Sequence, residues 1–230
     1  MANTTLTTFT GTMAKFLDEV DALKIGAETQ KVTITNAAYT IADLSAIKTA
    51  ATNATIVLQA AANPQLEGDV ADLTAALTDI KYSGAITVSE ALATANNLAN
   101  VLALTSGKVT ADVTSLTAAE LVTALADEKT VNALTVTVGA GAVDASDLKI
   151  LDAKTSVTVD ASAVTAITGT AAELKTVLAA KTITLDTTAV AVTVDGKVSA
   201  ADLNTIAKAT GGVVTAEVEG SAAALNAALK

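Results

Sequence analysis

This 230-residue chain contains no histidine, cysteine, tryptophan or arginine, and all fourteen of its basic residues are lysine. Without histidine and cysteine there is no soft-metal ligand set, no thiol nucleophile and no imidazole base for a serine triad. Without arginine there is no bidentate clamp for a phosphate or a carboxylate. We therefore predict that the protein is not an enzyme and has no catalytic residue, no cofactor and no metal site.

The balance of charge is acidic, with 24 aspartate and glutamate residues and a formal net charge of −10. This charge repels nucleic acid and anionic lipid, so we expect neither as a partner. Although 51% of the residues are hydrophobic, no apolar run approaches the roughly 18–20 residues that span a bilayer. The N-terminal stretch MANTTLTTFTGTMAKFLDEV lacks a basic segment followed by an apolar one, so we expect no cleaved secretory signal there.

Aromatic residues are scarce, at 2% of the chain, and none follows residue 82. Both phenylalanines lie near the N-terminus, where apolar residues recur with the period of an amphipathic helix after a possible N-cap at Thr12. The residues of this stripe are Met13, Phe16, Leu17, Val20 and Leu23. We interpret residues 1–25 as an N-terminal capping helix with larger side chains than the rest of the chain.

One phrase recurs along the chain: small residues, an acidic or small residue, a leucine, then a short apolar helix. Its clearest copies are GTAAELKTVLA at 169–179 and LTAAELVTALA at 116–126. Self-similarity at a period of about 26 residues is typical of solenoids, in which each repeat buries its apolar face against its neighbours. The anchor leucines of the eight copies are Leu44, Leu73, Leu98, Leu121, Leu148, Leu174, Leu203 and Leu225.

A segment of alternating β-branched residues precedes each helix phrase, which is the pattern of a half-buried strand. Strands that alternate with helices predict parallel pairing and right-handed crossovers. Two alternating segments between Thr182 and Asp195 indicate a second short strand in at least that repeat, and residues 156–174 are a further candidate for one. The predicted fold is therefore an α/β repeat solenoid of about eight strand–helix units, with residues 26–230 as a single domain. The predicted strands lie at 31–35, 54–58, 85–88, 108–113, 134–138, 155–160, 182–186, 191–195 and 213–218.

Helix boundaries carry their own signals. Ser and Thr residues precede Ala-rich first turns, where they cap helices, and lysines lie near the helix ends, where the dipole favours a positive charge. The single proline, Pro64, marks the most polar loop. The cap candidates are Thr117, Ser146, Thr170, Ser199 and Ser221, and the end signals are Lys154, Lys181, Lys208 and Gly211-Gly212.

Two sets of polar residues are candidate sites. Threonines opposite the buried face of the strands would stack into a column at about 4.8 Å per rung, a surface that could order water or ice; we favour their ordinary role as polar strand residues. Stacked aspartates could bind calcium through oxygen ligands; we favour turn and cap roles. The threonines are Thr33, Thr35, Thr87, Thr110, Thr135, Thr137, Thr158, Thr184, Thr193 and Thr215. The aspartates are Asp160, Asp186 and Asp195, each expected at a strand end, and Asp144, Asp147 and Asp152 at one helix start.

The phrases LDAKTSVTVDASAV at 151–164 and ITGTAAEL at 167–174 resemble the Ala/Thr/Val-rich repeats of very large exported bacterial cell-surface proteins, of the cyanobacterial type. The resemblance is strongest over residues 105–230. It implies a structural role at the cell surface and brings no catalytic residue with it. This chain lacks the calcium-binding nonapeptides that accompany some of those repeats.

We therefore expect a self-assembling subunit of an extracellular filament, sheath or surface layer. The alternative is a non-enzymatic adhesion or binding module, a cell-surface or virion decoration, that uses the solenoid face. The anchors Leu121, Leu148, Leu174 and Leu203 should be nearly fully buried. Subunits should join head to tail, with Leu225 and Leu229 near the joint, because unlike ends give heterologous contacts.

Overall fold

A computed structural model describes residues 8–23, 31–51, 54–59, 62–127 and 132–220. Within these ranges the chain forms eight helices and thirteen strands, in an α/β order that begins with a strand. The helices are α1 Met13–Leu23, α2 Ile41–Ala50, α3 Val70–Leu77, α4 Ala95–Ala103, α5 Ala118–Ala124, α6 Ala145–Lys154, α7 Ala171–Ala179 and α8 Ala200–Ala209. The strands are β1 Thr8–Gly11, β2 Lys31–Ile34, β3 Thr55–Leu58, β4 Leu66–Gly68, β5 Ile86–Val88, β6 Val109–Leu116, β7 Ala133–Val138, β8 Gly141–Asp144, β9 Val159–Ala161, β10 Val164–Gly169, β11 Ile183–Leu185, β12 Ala191–Ser199 and β13 Val214–Glu219.

The predicted α/β class with parallel strands is confirmed, because the described strands form three parallel sheets. All nine predicted strand segments contain a strand, and α2 to α8 lie at the first seven copies of the helix phrase. The eighth copy, with Leu225, lies outside the described residues. Pro64 lies in a loop, as predicted. Three strands have no counterpart among the predicted segments: β1, β4 and β8. β10 lies within residues 156–174, the further candidate for a second short strand.

Contacts divide the chain into two compact units. The first contains Met1–Ala91 and Asn97–Ala111. Its described part holds the sheet β1-β2-β3, a second sheet in which β4 pairs with β5 and β5 with the start of β6, the helices α1 to α3 and most of α4. The last three residues of β2, Val32 to Ile34, are all buried, so both faces of this strand are covered.

The second compact unit contains Leu92–Asn96 and Asp112–Lys230. One of its sheets has the order β11-β9-β7 followed by the end of β6, and the other has the order β13-β12-β10-β8. The strands therefore alternate between two sheets along the chain: β7, β9 and β11 in one, β8, β10 and β12 in the other. The helices α5 to α8 pack beside one another in chain order.

The anchor leucines form the core beneath the helices. Leu44, Leu73, Leu98, Leu121, Leu148 and Leu174 have no exposed surface. The prediction of near-complete burial is thus confirmed for three of its four residues and wrong for Leu203, which is partly exposed. Leu203 lies on α8, the last described helix, and this helix has a described neighbour on one side only, α7.

The N-terminal helix is present over Met13–Leu23, and the predicted cap is confirmed: the Thr12 Oγ1 accepts a hydrogen bond from the Lys15 amide at 3.2 Å. Phe16 is fully buried and meets Phe9 edge-on, with ring centroids 5.2 Å apart. This T-shaped contact adds to the burial of both rings. The helix packs beside α2.

Candidate functional surfaces

Most helix N-termini of the described chain are held by side-chain caps. Thr117 accepts a hydrogen bond from the Glu120 amide, and the Glu120 carboxylate accepts one from the Thr117 amide at 2.9 Å. Thr170 and Glu173 form the same capping box. Hydrogen bonds from the Thr117 amide and then its hydroxyl lower the pKa of Glu120, and hydrogen bonds from the Thr170 hydroxyl and then its amide lower the pKa of Glu173. These acidic residues serve the fold of their own helices.

Three of the five predicted caps are confirmed, namely Thr117, Thr170 and Ser199. Ser146 is not a cap: the cap of α6 is Asp144, whose Oδ1 accepts a hydrogen bond from the Ser146 amide at 2.7 Å. Asp144, two residues earlier, already has the extended backbone conformation that a cap requires. Ser221 lies outside the described residues.

The lysine end signals are confirmed in part. Lys154 and Lys208 lie in the last turns of α6 and α8, where their charge complements the helix dipole. Lys181 lies two residues beyond the end of α7. Between neighbouring helices, the Lys175 Nζ on α7 donates to the Asp202 Oδ1 on α8 at 2.5 Å, and this contact lowers the pKa of Asp202. Both side chains are more than a third exposed, so the pair adds little stability.

The aspartates that we considered as calcium ligands are engaged in turns. The Asp160 Oδ1 accepts hydrogen bonds from the amide and hydroxyl of Ser162, at 3.0 and 2.6 Å. The Asp186 Oδ1 does the same for Thr188, at 3.1 and 2.5 Å. These hydrogen bonds lower the pKa values of both aspartates. The two side chains therefore define the corners that follow β9 and β11.

The other aspartates considered as calcium ligands do not form a cluster among the described residues. Asp195 is an exposed residue inside β12, which continues to Ser199, so its predicted place at a strand end is wrong. Burial, and then the charge of Asp144, raises the pKa of Asp147. No group of three or more histidine, cysteine, aspartate or glutamate residues that could hold a metal ion occurs among the described residues. This geometry favours the turn and cap roles of the aspartates.

The outward-facing threonines form rows rather than one column, because the strands belong to separate sheets. In the β8-β10-β12-β13 sheet, Thr168, Thr193 and Thr215 are paired in register across three strands. In the β7-β9-β11 sheet, the row is Thr137, Asp160 and Thr184, so an aspartate interrupts it.

Thr33 is wrong as a member of this outward set. It is only 4% exposed, because both faces of its strand are covered. The threonine rows that remain are short, and each is confined to the strands of one sheet.

Sequence reasoning missed a set of inward-pointing threonines, which we call the corner threonines: Thr105, Thr155 and Thr210. Each lies just after a helix and donates a hydrogen bond from its hydroxyl to a backbone carbonyl 20 or 21 residues earlier in the chain, at 2.7 Å. Each also accepts a hydrogen bond from the amide two residues later, at 2.8 to 3.1 Å. Thr155 and Thr210 are buried. The recurring triplets TSG, TSV and TGG at 105–107, 155–157 and 210–212 are the signal that could have found them.

Two of these triplets end in glycine for a steric reason. A Cβ atom at Gly107 would collide with the carbonyl of Gly84, and one at Gly212 would collide with the carbonyl of Val190. Consecutive corners are therefore in direct backbone contact. The corner threonines and glycines therefore join each of these corners to the preceding one through hydrogen bonds and close backbone contact.

Two grooves of the described chain contain few ionisable side chains. A groove of about 430 Å³ in the first compact unit is lined by Thr55 to Leu58 of β3 together with Asp79 and Lys81. Another, of about 490 Å³, is lined by 80–82 and 102–106. The first contains one carboxylate and one amine, and the second contains one amine and the buried Tyr82. Burial raises the pKa of Tyr82 to about 12, so its hydroxyl stays protonated at neutral pH.

No family model, curated protein or solved structure matches this chain. Among the described helices, none is both long enough and apolar enough to cross a bilayer.

Proposed function

We propose that this protein is a structural, self-assembling subunit of an extracellular filament, sheath or surface layer. Its repeats stack as one α/β solenoid, and α1 caps the N-terminal end. The proposal is supported by hydrogen bonds that link each corner to the preceding repeat, by strands that pair in register in chain order, and by side-chain carboxylates engaged in caps and turns. The place outside the cell rests on the resemblance of residues 151–174 to bacterial cell-surface repeats.

The observation that carries the proposal is the strand order of the β8-β10-β12-β13 sheet. Each strand pairs with the next one along the chain in that sheet, and β13 has a described partner on one side only, β12. An edge strand presents unpaired backbone amides and carbonyls and templates further pairing. The β13 edge of one subunit and the β1 edge of the next are unlike, so a contact between them would be heterologous. Heterologous contacts give filaments when the rotation between subunits does not close into a ring.

The test compares two lysine substitutions on paired, exposed threonines. Thr215 on the edge strand β13 and Thr193 on β12 are in register and both are exposed. A lysine on an edge strand blocks pairing with another chain, whereas the same charge on an inner strand does not. We expect the unmodified protein and T193K to form polymers in electron microscopy and sedimentation velocity, and T215K to remain dispersed.

A protein that sediments as a monomer at all concentrations and salt conditions would contradict the filament proposal. The alternative, a non-enzymatic adhesion or binding module, would then take its place. The exposed row of Thr193 and Thr215 favours that alternative, since it forms a polar surface free of charge within the row. The head-to-tail joint near Leu225 and Leu229 lies outside the described residues and stays a prediction.

A further inference from the structure

The strand β12 contains the only Asp-Gly pair of the chain, Asp195-Gly196, and the chain has no Asn-Gly pair. Both residues are exposed. An aspartate before glycine is the one whose side-chain carboxyl is most readily attacked by the next backbone nitrogen, because glycine has no Cβ to obstruct the approach. The surroundings of the pair decide whether the folded chain allows this reaction.

Regular strand pairing is interrupted at this pair. On one side, β12 pairs in register with β10 as far as Val194. On the other side, its register with β13 shifts between Thr193 and Lys197. Asp195 and Gly196 therefore have no register partner on either of the two neighbouring described strands. A bulge of this kind leaves residues outside the regular ladder and bends the strand, so ladder pairing does not fix this peptide in an extended conformation.

The backbone and the space at Gly196 also favour the reaction. Its φ is +74°, a conformation that glycine adopts without steric cost. No atom of the described chain beyond its sequence neighbours lies within 4 Å of the position that a Cβ would take there. The carboxylates of Asp160 and Asp186, by contrast, are held by hydrogen bonds from the residue two places further on, and each of these aspartates precedes a residue with a Cβ.

We propose that Asp195 is a site of spontaneous isomerisation to isoaspartate in the folded protein. The Gly196 nitrogen attacks the Asp195 Cγ; a C–N bond forms, and the amide proton and the carboxyl hydroxyl leave together as water, which gives a cyclic imide. Water then opens the imide. Cleavage of the bond between the nitrogen and Cγ restores aspartate, whereas cleavage between the nitrogen and the main-chain carbonyl carbon leaves a chain that continues through Cγ, as isoaspartate. One water leaves and one enters, so water is the only co-reactant and the mass of the protein is unchanged.

The product adds one carbon to the main chain between two paired parts of β12. The first part ends its register with β13 at Thr193, and the second begins at Lys197 and leads to Ser199, the N-cap of α8. Because the added carbon lies in the bulge, beside open space, both parts keep their pairing. The modification therefore requires no unfolding of β12 and is independent of the filament proposal.

The test incubates the full chain at physiological temperature and neutral pH and quantifies isoaspartate in each peptide with an isoaspartate-specific methyltransferase. Isoaspartate at 195 should accumulate at least about tenfold faster than at Asp186, which precedes Thr187. Asp195→Asn should react at least about tenfold faster than the unchanged chain, because it forms the same imide by loss of ammonia and a neutral amide is attacked more readily than an ionised carboxylate. Asp195→Glu keeps the charge and should react at least about tenfold more slowly, because its ring needs one more atom. Position 195 is exposed, so both substitutions leave the core unchanged.

A comparison with the urea-unfolded chain separates the role of the fold from that of the dipeptide. The rate at 195 in the folded chain should lie within about tenfold of the rate in urea, because the reaction needs no global unfolding. A larger gap would overturn the proposal, since the fold would then protect the pair. Equal accumulation of isoaspartate at Asp195 and Asp186 in the folded chain would also overturn it, as would an unchanged rate in Asp195→Glu.

Discussion

Replacement of Leu174 by alanine measures how tightly the helices pack on the sheets. The side chain has no exposed surface and projects from α7 into the core. The change removes three buried carbon atoms, and at about 0.8 kcal/mol per buried methylene this forfeits roughly 2.4 kcal/mol of transfer free energy. The cavity adds to this, because parallel strands linked by backbone hydrogen bonds collapse only in part. We therefore expect the free energy of unfolding to fall by about 3–4 kcal/mol, within the range of about 2–5 kcal/mol for buried Leu→Ala changes.

Thermal and urea unfolding followed by circular dichroism would measure this loss. For a chain of this size, 1 kcal/mol shifts Tm by about 2–4 °C, so Leu174→Ala should lower Tm by roughly 6–16 °C. The control is Thr176→Ala, two residues further on α7. Its side chain is exposed and its hydroxyl donates to the Ala172 carbonyl at 2.8 Å; its removal should change stability by no more than about 0.5 kcal/mol. A loss below about 1 kcal/mol for Leu174→Ala, or equal losses for both variants, would refute the packing that we describe.

Four further outcomes are expected. Thr170→Ala should cost about 0.5–2 kcal/mol of unfolding free energy while Thr170→Ser retains most of it, because serine keeps the capping oxygen; urea titration of both variants checks this. Thr155→Val should cost about 1–3 kcal/mol in the same assay, since it leaves the Leu134 carbonyl without its buried donor. The lowered pKa values of Glu120 and Glu173 contribute stability that is present above their ordinary pKa of 4.5 and is lost as pH falls through the folded-state pKa, so Tm should decrease in acid below about pH 4.5. Millimolar calcium should leave Tm unchanged, because a ligand stabilises only the state that it binds; a rise that saturates with calcium would restore the calcium alternative.

Much of this fold could be predicted because helix and strand signals agree within each repeat. At Thr170, the cap, the glutamate three residues later and the leucine at the fourth position all indicate one helix, and the structure contains it. The alternation of β-branched residues indicates the strands in the same direct way. Local chemistry of this kind acts over a few residues, so it can be read without knowledge of the fold.

The short strands and the division into sheets were harder to predict. β4 is LEG and β8 is GAVD, and both contain a glycine and too few residues to show a period of two. Which strand joins which sheet depends on the corners at Asp160 and Asp186, where two residues separate β9 from β10 and five separate β11 from β12. Aspartate occurs in turns, in caps and in metal sites, so its residue type alone does not separate the three roles.

The threonines show most clearly that the position of a residue in the fold decides what its side chain does. Thr193 and Thr215 are paired across two strands and face outward, whereas Thr155 and Thr210 face inward and bridge two repeats with their hydroxyls. A hydroxyl on a strand surface satisfies its hydrogen bonds with water, but a buried hydroxyl must find a protein partner or lose stability. The two kinds of threonine should therefore respond differently to substitution by valine. Loss of the hydroxyl should be tolerated on the surface, whereas in the corner it leaves a backbone carbonyl of the preceding repeat without a hydrogen-bond donor. Threonine is therefore needed at the corner positions, where its hydroxyl links consecutive repeats, more than in the exposed rows.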